Sequence, residues 1–282
     1  ECISMVNVGE TWIRILVSVV FVPCIIIICW MAGISLFVFI TLIILFGLRE
    51  YHGIATAKNV YPNWFIGIPA AFLLCLDAWL EKGAHIPQII TALVFLTAAA
   101  EVFRNSPHSP FQNIAATILG ILYIGLLGSH LILLSEWQID NLKITKVGGE
   151  AIGPVILAFA IPWSYDSFAY FTGKFFGRHR LLPRVSRGKT IEGAIGGLLG
   201  ALMVMFILRL TLFPFLTPFH CVILGAAGGI ISQVGDLAES LMKRDAELKD
   251  SSNIIPGHGG ILDRFDSVFF AAPFVFLSLI HI

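Results

Sequence analysis

The stretch "GGIISQVGDLAESLMKRD" places two carboxylates, two hydroxyls and a lysine inside an apolar segment near the C-terminal end of the chain. These residues are Ser232, Asp236, Glu239, Ser240 and Lys243, and their spacings of 4, 3, 1 and 3 put them on one face of a helix. Unpaired carboxylates are costly in apolar surroundings, so such a face requires a water-filled cavity or a bound cation. The pattern predicts a functional helix face.

A second acidic pair stands at the start of the last apolar segment, in "LDRFD". Asp263 and Asp266 are three residues apart and share a face if the segment is helical. Helix capping explains one carboxylate at a helix N-terminus, but not the presence of Asp236 at the same predicted membrane depth. Three converging carboxylates are typical of a hard-oxygen metal site, for which Mg²⁺ is the natural occupant.

Basic residues surround these carboxylates in sequence. One group follows the acidic helix face and a second lies between residues 173 and 190; together they comprise Lys243, Arg244, Lys249, His258, Arg264, Lys174, Arg178, Arg180, Arg184, Arg187 and Lys189. Mg²⁺ and basic side chains together suit a phosphate-rich ligand, because both neutralise phosphate charge. For the 174–190 loop alone, a topology signal or a contact with anionic lipid explains the basic residues equally well.

The composition determines what kind of elements must position these residues. The chain has 282 residues, of which 57% are hydrophobic and 13% charged, about half the charged fraction of a soluble domain. Long apolar runs predict an all-α, polytopic integral membrane protein. The net charge of zero implies no nucleic-acid partner. We predict nine spans, at about 11–31, 33–49, 64–81, 86–103, 113–135, 151–172, 191–213, 219–242 and 266–282.

The distribution of Lys and Arg predicts the orientation of these spans. With the N-terminus inside, fourteen of the 18 Lys and Arg residues fall on inner segments and three in outer loops, as the positive-inside rule requires. The N-terminus and the loops 173–190 and 243–265 are therefore expected at the cytoplasmic face of the cell (inner) membrane. Two crossings separate these loops, so they can meet. We divide the chain into N-terminal transmembrane helices (1–150) and a C-terminal catalytic half (151–282).

Glycines recur four residues apart in "GAIGGLLG", the segment between the two basic loops. Gly193 and Gly197 form one pair, and Gly196 and Gly200 form the other. Small residues at this spacing allow two membrane helices to approach closely. We interpret them as packing residues.

Two motifs in the C-terminal half resemble those of a known family. The string "SLMKRDAELKDSSNIIPGHGGILDRFD" (240–266) is similar to the signature of the phosphatidate cytidylyltransferases, also called CDP-diacylglycerol synthases. "DSFAYFTGKFFGRHRLLPRVSRGKTIEG" (166–193) resembles the family's second motif. One departure is that Arg187 stands where the family usually has proline. The first 150 residues match only as a set of spans.

The resemblance implies a nucleotidyltransferase of phospholipid biosynthesis that converts CTP and phosphatidic acid to CDP-diacylglycerol and pyrophosphate. It implies Asp236 and Asp263 as Mg²⁺ ligands, with Asp266 as a third ligand or a partner of one. It also implies a homodimer among membrane lipids, and it leaves room for a monovalent cation such as K⁺ beside Mg²⁺. The expected catalytic residues are Asp236, Asp263, Asp266, Lys243 and Arg244, and the expected substrate-binding residues are Ser186, Lys189, Glu192, Ser240, Lys249, Asp250, His258, Arg264 and Asp166.

Two other functions fit parts of the pattern. A CTP-dependent lipid kinase of the polyprenol or phytol type would use similar groups but would transfer the γ-phosphoryl group. An ion transporter would line a path with carboxylates at several membrane depths. Here the carboxylates cluster at one end of the spans, and Asp77 and Glu101 stand alone near span ends, which argues against a transporter.

Overall fold

The structure is a computed structural model that describes residues 21–31, 33–105, 108–136, 146–147, 150–151, 153–252, 254 and 259–281. Within these residues the chain is almost entirely helical. The α-helices are α1 (Phe21–Met31), α2 (Gly33–Ala57), α3 (Trp64–Leu80), α4 (Ile86–Val102), α5 (Pro110–Gly120), α6 (Leu127–Ser135), α7 (Val155–Phe176), α8 (Ile191–Thr211), α9 (Pro218–Asp245) and α10 (Leu262–Ile280). A π-helical segment, Ile121–Leu126, joins α5 to α6 without a break.

The all-α membrane-type architecture is confirmed, and helices occupy each of the predicted apolar segments within the described residues. Four uninterrupted helical stretches are long and apolar enough to cross a membrane by themselves: Gly33–Ala57, Pro110–Ser135, Ile191–Thr211 and Pro218–Asp245. The number of spans stays a prediction. Residues 11–20 of the first predicted span lie outside the described residues.

Several helices differ in their bounds from the sequence prediction. Helix α2 continues to Ala57, and α9 to Asp245, because the polar residues that follow each apolar run contain no proline. Helix α7 runs from Val155 to Phe176, four residues later at each end than predicted. Helix α10 begins at Leu262, four residues before the predicted start of the last segment. As a result, Asp263 lies within the first turn of the helix.

The basic loop between α7 and α8 folds as a short hairpin. Strand β3 (Arg180–Leu182) pairs antiparallel with β4 (Ser186–Thr190), and Leu182 lies opposite Ser186. A second strand pair, β1 (Lys146–Val147) with β2 (Glu150–Ala151), precedes α7. Thr190 ends β4 and caps α8 by accepting a hydrogen bond from the Gly193 backbone N–H. The hairpin is therefore fixed directly to the start of α8.

Close packing of α8 against α7 depends on the predicted glycines. A Cβ at Gly197 would lie 2.8 Å from the Tyr165 carbonyl oxygen, and a Cβ at Gly193 would lie 2.9 Å from that of Ala169. Added Cβ atoms at Gly196 and Gly200 would likewise collide with α7. The packing interpretation of these glycines is confirmed.

The buried apolar core joins the two halves of the chain. It runs from Ile25 of α1 and Ile44 of α2 to Phe269 and Val275 of α10. The core positions α10 beside α2 as well as beside α9, and this arrangement brings an N-terminal helix next to the acidic motifs.

Candidate active site

The predicted acidic residues line one cavity of about 710 Å³ where α7, α9 and α10 meet. Its described wall combines charged and apolar side chains. Carboxylates come from all three helices and from the segment after α9, and the set is Asp166, Asp236, Glu239, Asp250, Asp263 and Asp266. Lys243 and Arg264 supply cations, whereas Phe21, Val22, Pro162, Trp163 and Phe265 supply apolar surface.

The predicted functional face of α9 faces this cavity. Asp236, Glu239 and Lys243 all line it, one helical turn apart. Ser240 donates a long hydrogen bond of 3.4 Å to Asp236 Oδ1. Ser232 is buried and donates to the Gly229 carbonyl, so it satisfies its own helix rather than the cavity.

Lys243 lies between two carboxylates at the C-terminal end of α9. Its ammonium forms ion pairs with Glu239 on the same helix and with Asp263 on α10. Only 8% of the Lys243 residue surface is exposed, and a lysine is rarely buried to this degree unless it is paired. Lys243 therefore joins the two acidic motifs that the sequence places twenty residues apart.

Asp263 is held by protein donors on both oxygens. Its Oδ1 pairs with Lys243, and its Oδ2 accepts hydrogen bonds from the Ser251 backbone N–H at 3.0 Å, the Ser251 hydroxyl at 2.9 Å and the Gly260 N–H at 2.7 Å. Asp263 thus organises the loop before α10 as well as facing the cavity. Part of its role is the local hydrogen bonding that a capping carboxylate provides.

Lys189 connects the hairpin to the acidic cavity. It forms an ion pair with Asp236 Oδ2, and both side chains are about a quarter exposed. The ion pair therefore links Lys189, in the predicted loop 173–190, to Asp236 on α9, the helix that leads into the predicted loop 243–265. This contact places a cation of the second motif beside a carboxylate of the cavity wall.

Asp266 lies deep in the site, where α10 crosses α9. The residue is 6% exposed and accepts a hydrogen bond of 2.6 Å from the Ser267 N–H. The crossing needs Gly235, because a Cβ there would lie 2.8 Å from the Asp266 carbonyl oxygen. The sequence prediction that Asp236, Asp263 and Asp266 converge is confirmed in that all three line one cavity.

Several predicted substrate-binding residues lie outside the cavity wall. Glu192, in the first turn of α8, accepts hydrogen bonds from the Arg178 and His179 N–H groups and lies 2.6 Å from His179 Nδ1, so it closes the hairpin. Ser186 is on β4. Lys249 is exposed in the segment after α9. Arg244, which was predicted to be catalytic, is exposed in the last turn of α9, donates to the Leu248 carbonyl and is not among the residues of the cavity wall. His258 lies outside the described residues.

The cavity fits a cation by its charge. Six carboxylates line its described wall against two basic side chains, and Lys189 adds a third cation from the hairpin. Glu239 Oε1 is buried without a hydrogen-bond partner among the described residues. In the described part of the chain no three acidic, His or Cys side chains are already arranged as a ligand set. Three of the six, Asp236, Glu239 and Asp263, are instead paired with lysines.

One residue of this site was missed by sequence reasoning. Glu50 of α2 is 3% exposed and accepts hydrogen bonds from the segment between α9 and α10. The available signal was an acidic residue at the inner end of the second predicted span. The sequence could not show its partner, because that contact joins residues about two hundred positions apart.

Comparisons with known proteins identify relatives that match most of the chain. The model of the cytidylyltransferase family matches residues 12–281. A phosphatidate cytidylyltransferase of Synechocystis sp. is 35% identical over 262 residues, which cover 86% of this chain and 87% of the relative. Those of Staphylococcus aureus and Staphylococcus epidermidis are 30% and 28% identical, each covering 96% of this chain and 98% of the relative. The chain belongs to the cytidylyltransferase family.

Proposed function

We propose that this protein is a phosphatidate cytidylyltransferase, an enzyme of phospholipid biosynthesis. It joins CTP to phosphatidic acid and releases CDP-diacylglycerol and pyrophosphate. The observation that carries the proposal is a single cavity with charged and apolar lining residues at one end of membrane-type helices. The names of the relatives, matched over most of each chain, support the same activity.

The mixed lining suits both substrates. A triphosphate requires cations and polar donors, which Lys189, Lys243 and Arg264 provide. The acyl chains of a lipid require apolar surface, which Trp163 and Phe265 provide beside the carboxylates. The cavity therefore offers groups for a lipid phosphate and apolar surface for its acyl chains.

In the proposed reaction, an oxygen of the lipid phosphate attacks the α-phosphorus of CTP. The bond from that phosphorus to the bridging oxygen of pyrophosphate breaks, and pyrophosphate leaves with the electron pair. Lys189 and Lys243 lie where they can offset charge on the transferring and leaving oxygens. Their present carboxylate partners hold both ammonium groups in position.

We propose Mg²⁺ as the cofactor, held by Asp236 and Asp263, with Asp266 as a third ligand or a partner of one. The excess of carboxylates over cations supports this, because a polyanionic substrate cannot enter an acidic cavity without added positive charge. When bound, the metal supplies Lewis-acid stabilisation of phosphate oxygens. We further propose a location in the cell membrane, with the active-site end facing the cytoplasm. We also propose the homodimer and the K⁺ ion that the family resemblance suggests. Light scattering and K⁺ titration test the last two.

Product analysis tests this function against the lipid-kinase alternative. Purified protein in detergent is incubated with phosphatidic acid, Mg²⁺ and CTP labelled at the α-phosphorus. We expect labelled CDP-diacylglycerol and unlabelled pyrophosphate, and we expect EDTA to abolish both until Mg²⁺ is restored. Release of labelled CDP with no labelled lipid would identify a kinase instead, and full turnover in EDTA would refute the metal proposal.

A further inference from the structure

Glu50 is a carboxylate from the N-terminal half of the chain that is buried against the loop leading to α10. Each of its oxygens accepts two hydrogen bonds. Oε1 accepts from the Ser252 hydroxyl at 2.6 Å and the Ile261 N–H at 2.9 Å. Oε2 accepts from the Ser251 hydroxyl at 2.9 Å and the Leu262 N–H at 2.7 Å. Burial of this carboxylate is thus matched by three donors of its own and by the Ser251 hydroxyl, whose single proton is shared with Asp263 Oδ2.

The two backbone donors belong to the N-terminus of α10. Ile261 is its N-cap residue and has no side chain that can cap, so the first N–H groups of the helix need another acceptor. Glu50 provides that acceptor from α2. A carboxylate at this position also interacts favourably with the positive end of the α10 dipole.

The same contacts reach the acidic cavity through Ser251. Its hydroxyl lies 2.9 Å from Glu50 Oε2 and 2.9 Å from Asp263 Oδ2, so one serine bridges the two carboxylates. Asp263 in turn pairs with Lys243, which pairs with Glu239. A change in the position of Glu50 is therefore transmitted to Asp263.

The glycines at the end of this loop fit around Glu50. Gly259 has φ +78°, which a residue with a side chain rarely adopts. Gly260 is fully surrounded, because an added Cβ would collide with Ser251 Oγ and Glu50 Oε2. Gly260 thus leaves the space that the Glu50 carboxylate occupies, whereas an added Cβ at Gly259 would lie 2.6 Å from Asp263 Oδ2.

We infer that Glu50 is a positioning residue for the proposed cytidylyl transfer: it holds Ser251, Ser252 and the start of α10 so that Asp263 faces the cavity. This inference rests on the proposed function for its effect on catalysis. Its structural part, the anchoring of the loop by α2, does not depend on which reaction the cavity performs.

The test compares Glu50→Gln with Glu101→Gln. Glu101 is a matched control because it is a 5% exposed carboxylate of the N-terminal half, hydrogen bonded to Asn113 and Arg104 and absent from the cavity wall. In Glu50→Gln one oxygen becomes an NH₂ group, which faces a backbone N–H and cannot accept from it. We expect kcat per folded molecule to fall about 10–100-fold, as for other residues that orient a metal ligand. We also expect more Mg²⁺ to be needed for half-maximal activity, with the KM for lipid little changed.

Amide hydrogen exchange supplies a readout that needs no turnover. The peptide containing Ile261 and Leu262 should exchange at least about tenfold faster in Glu50→Gln than in wild type and Glu101→Gln, because its amides lose their acceptor. Glu50→Asp, which keeps the charge, should retain more activity than Glu50→Gln. If Glu50→Gln folds poorly, Ser252→Ala removes one donor and should give the same changes in smaller degree.

The outcomes distinguish a failure of the Glu50 inference from a failure of the proposed function. A wild-type kcat and Mg²⁺ response together with unchanged exchange in Glu50→Gln would overturn the inference. Equal losses of kcat per folded molecule in Glu50→Gln and Glu101→Gln would also overturn it, since they would show only general destabilisation. A wild-type protein that forms no CDP-diacylglycerol would refute the proposed function, while the exchange experiment would still decide the anchoring role.

Discussion

At the scale of single residues, the site consists of carboxylates paired with lysines that come from different parts of the chain. Lys189 pairs with Asp236, and Lys243 pairs with both Glu239 and Asp263. These pairs keep ammonium groups at the edge of an acidic cavity that must admit phosphate. The lysines neutralise carboxylates, and the proposed function gives them a second role, which is to attract the nucleotide.

Lys189→Ala tests the second role. Removal of this ammonium should raise the KM for CTP about tenfold, equivalent to ~1.4 kcal/mol, and should change the KM for phosphatidic acid much less. Arg184→Ala is the matched control, because Arg184 is an exposed cation of the turn between β3 and β4 and is not part of the cavity wall. Initial rates in mixed micelles at varied CTP and lipid provide the measurement. Unchanged KM values for both substrates would refute the nucleotide-binding role and leave Lys189 with its ion pair to Asp236 and a role in membrane topology.

The sequence predicted single residues well where spacing along one helix carried the information. Asp236, Glu239 and Lys243 were placed on one helix face from their spacing, and they line one cavity. Glu50 was not predicted, because its function depends on hydrogen bonds to Ile261 and Leu262 across the fold. Helical periodicity contains no information about such long-range partners.

At the scale of elements, the close crossing of α7 and α8 fixes the hairpin and one wall of the site. Helix α7 contributes Pro162, Trp163 and Asp166 to the cavity, and α8 begins at the end of β4. The distance between the two helices is set by glycines that have no room for a side chain. The packing of α8 therefore influences both Asp166 and Lys189.

Gly197→Ala should destabilise this crossing. The new methyl group would lie 2.8 Å from the Tyr165 carbonyl oxygen and 3.0 Å from Ala169 Cβ, and backbone atoms cannot move aside easily. We expect a loss of ~1–3 kcal/mol, as for overpacked cores, seen as a lower Tm in detergent. Gly53→Ala on α2 is the control, because nothing lies within 4 Å of its added Cβ. An equal Tm for both variants would show that the crossing tolerates a side chain.

Element positions could be predicted from apolar runs, whereas the structure of the polar segments could not. The long runs that became α2, α8 and α9 are each unambiguous in hydropathy. The β3–β4 hairpin was treated only as a basic loop, since "RLL" and "SRGKT" are too short for an alternating strand pattern. The π-helical segment before α6 has no recognisable sequence signal either.

At the scale of the whole molecule, one end of the helical bundle gathers the polar groups from both halves of the chain. Glu50 contributes from α2, Lys189 from the hairpin, Asp236 from α9 and Asp263 from α10. The described remainder of the bundle is largely apolar core and outward-facing apolar surface. This arrangement suits a reaction between a water-soluble nucleotide and a lipid headgroup, because both substrates can reach that end.

The most direct test of whether this cavity is the catalytic site is the activity of Asp236→Asn. The rate of CDP-diacylglycerol formation is measured with saturating Mg²⁺ and divided by the fraction of folded protein. Asn has nearly the same shape as Asp but lacks its charge. The variant therefore loses a carboxylate that is both a predicted metal ligand and the partner of Lys189, with little change in packing. We expect the rate to fall at least about 100-fold, and we expect Asp236→Asn/Asp263→Asn to be hardly slower than the single variant, because residues that act as one unit are not additive. The control is Asp77→Asn, because Asp77 is a buried carboxylate bonded to His85 and absent from the cavity wall, and this variant should keep a rate close to wild type. An Asp236→Asn enzyme that retains more than about half of the wild-type rate would show that the reaction does not depend on this cavity.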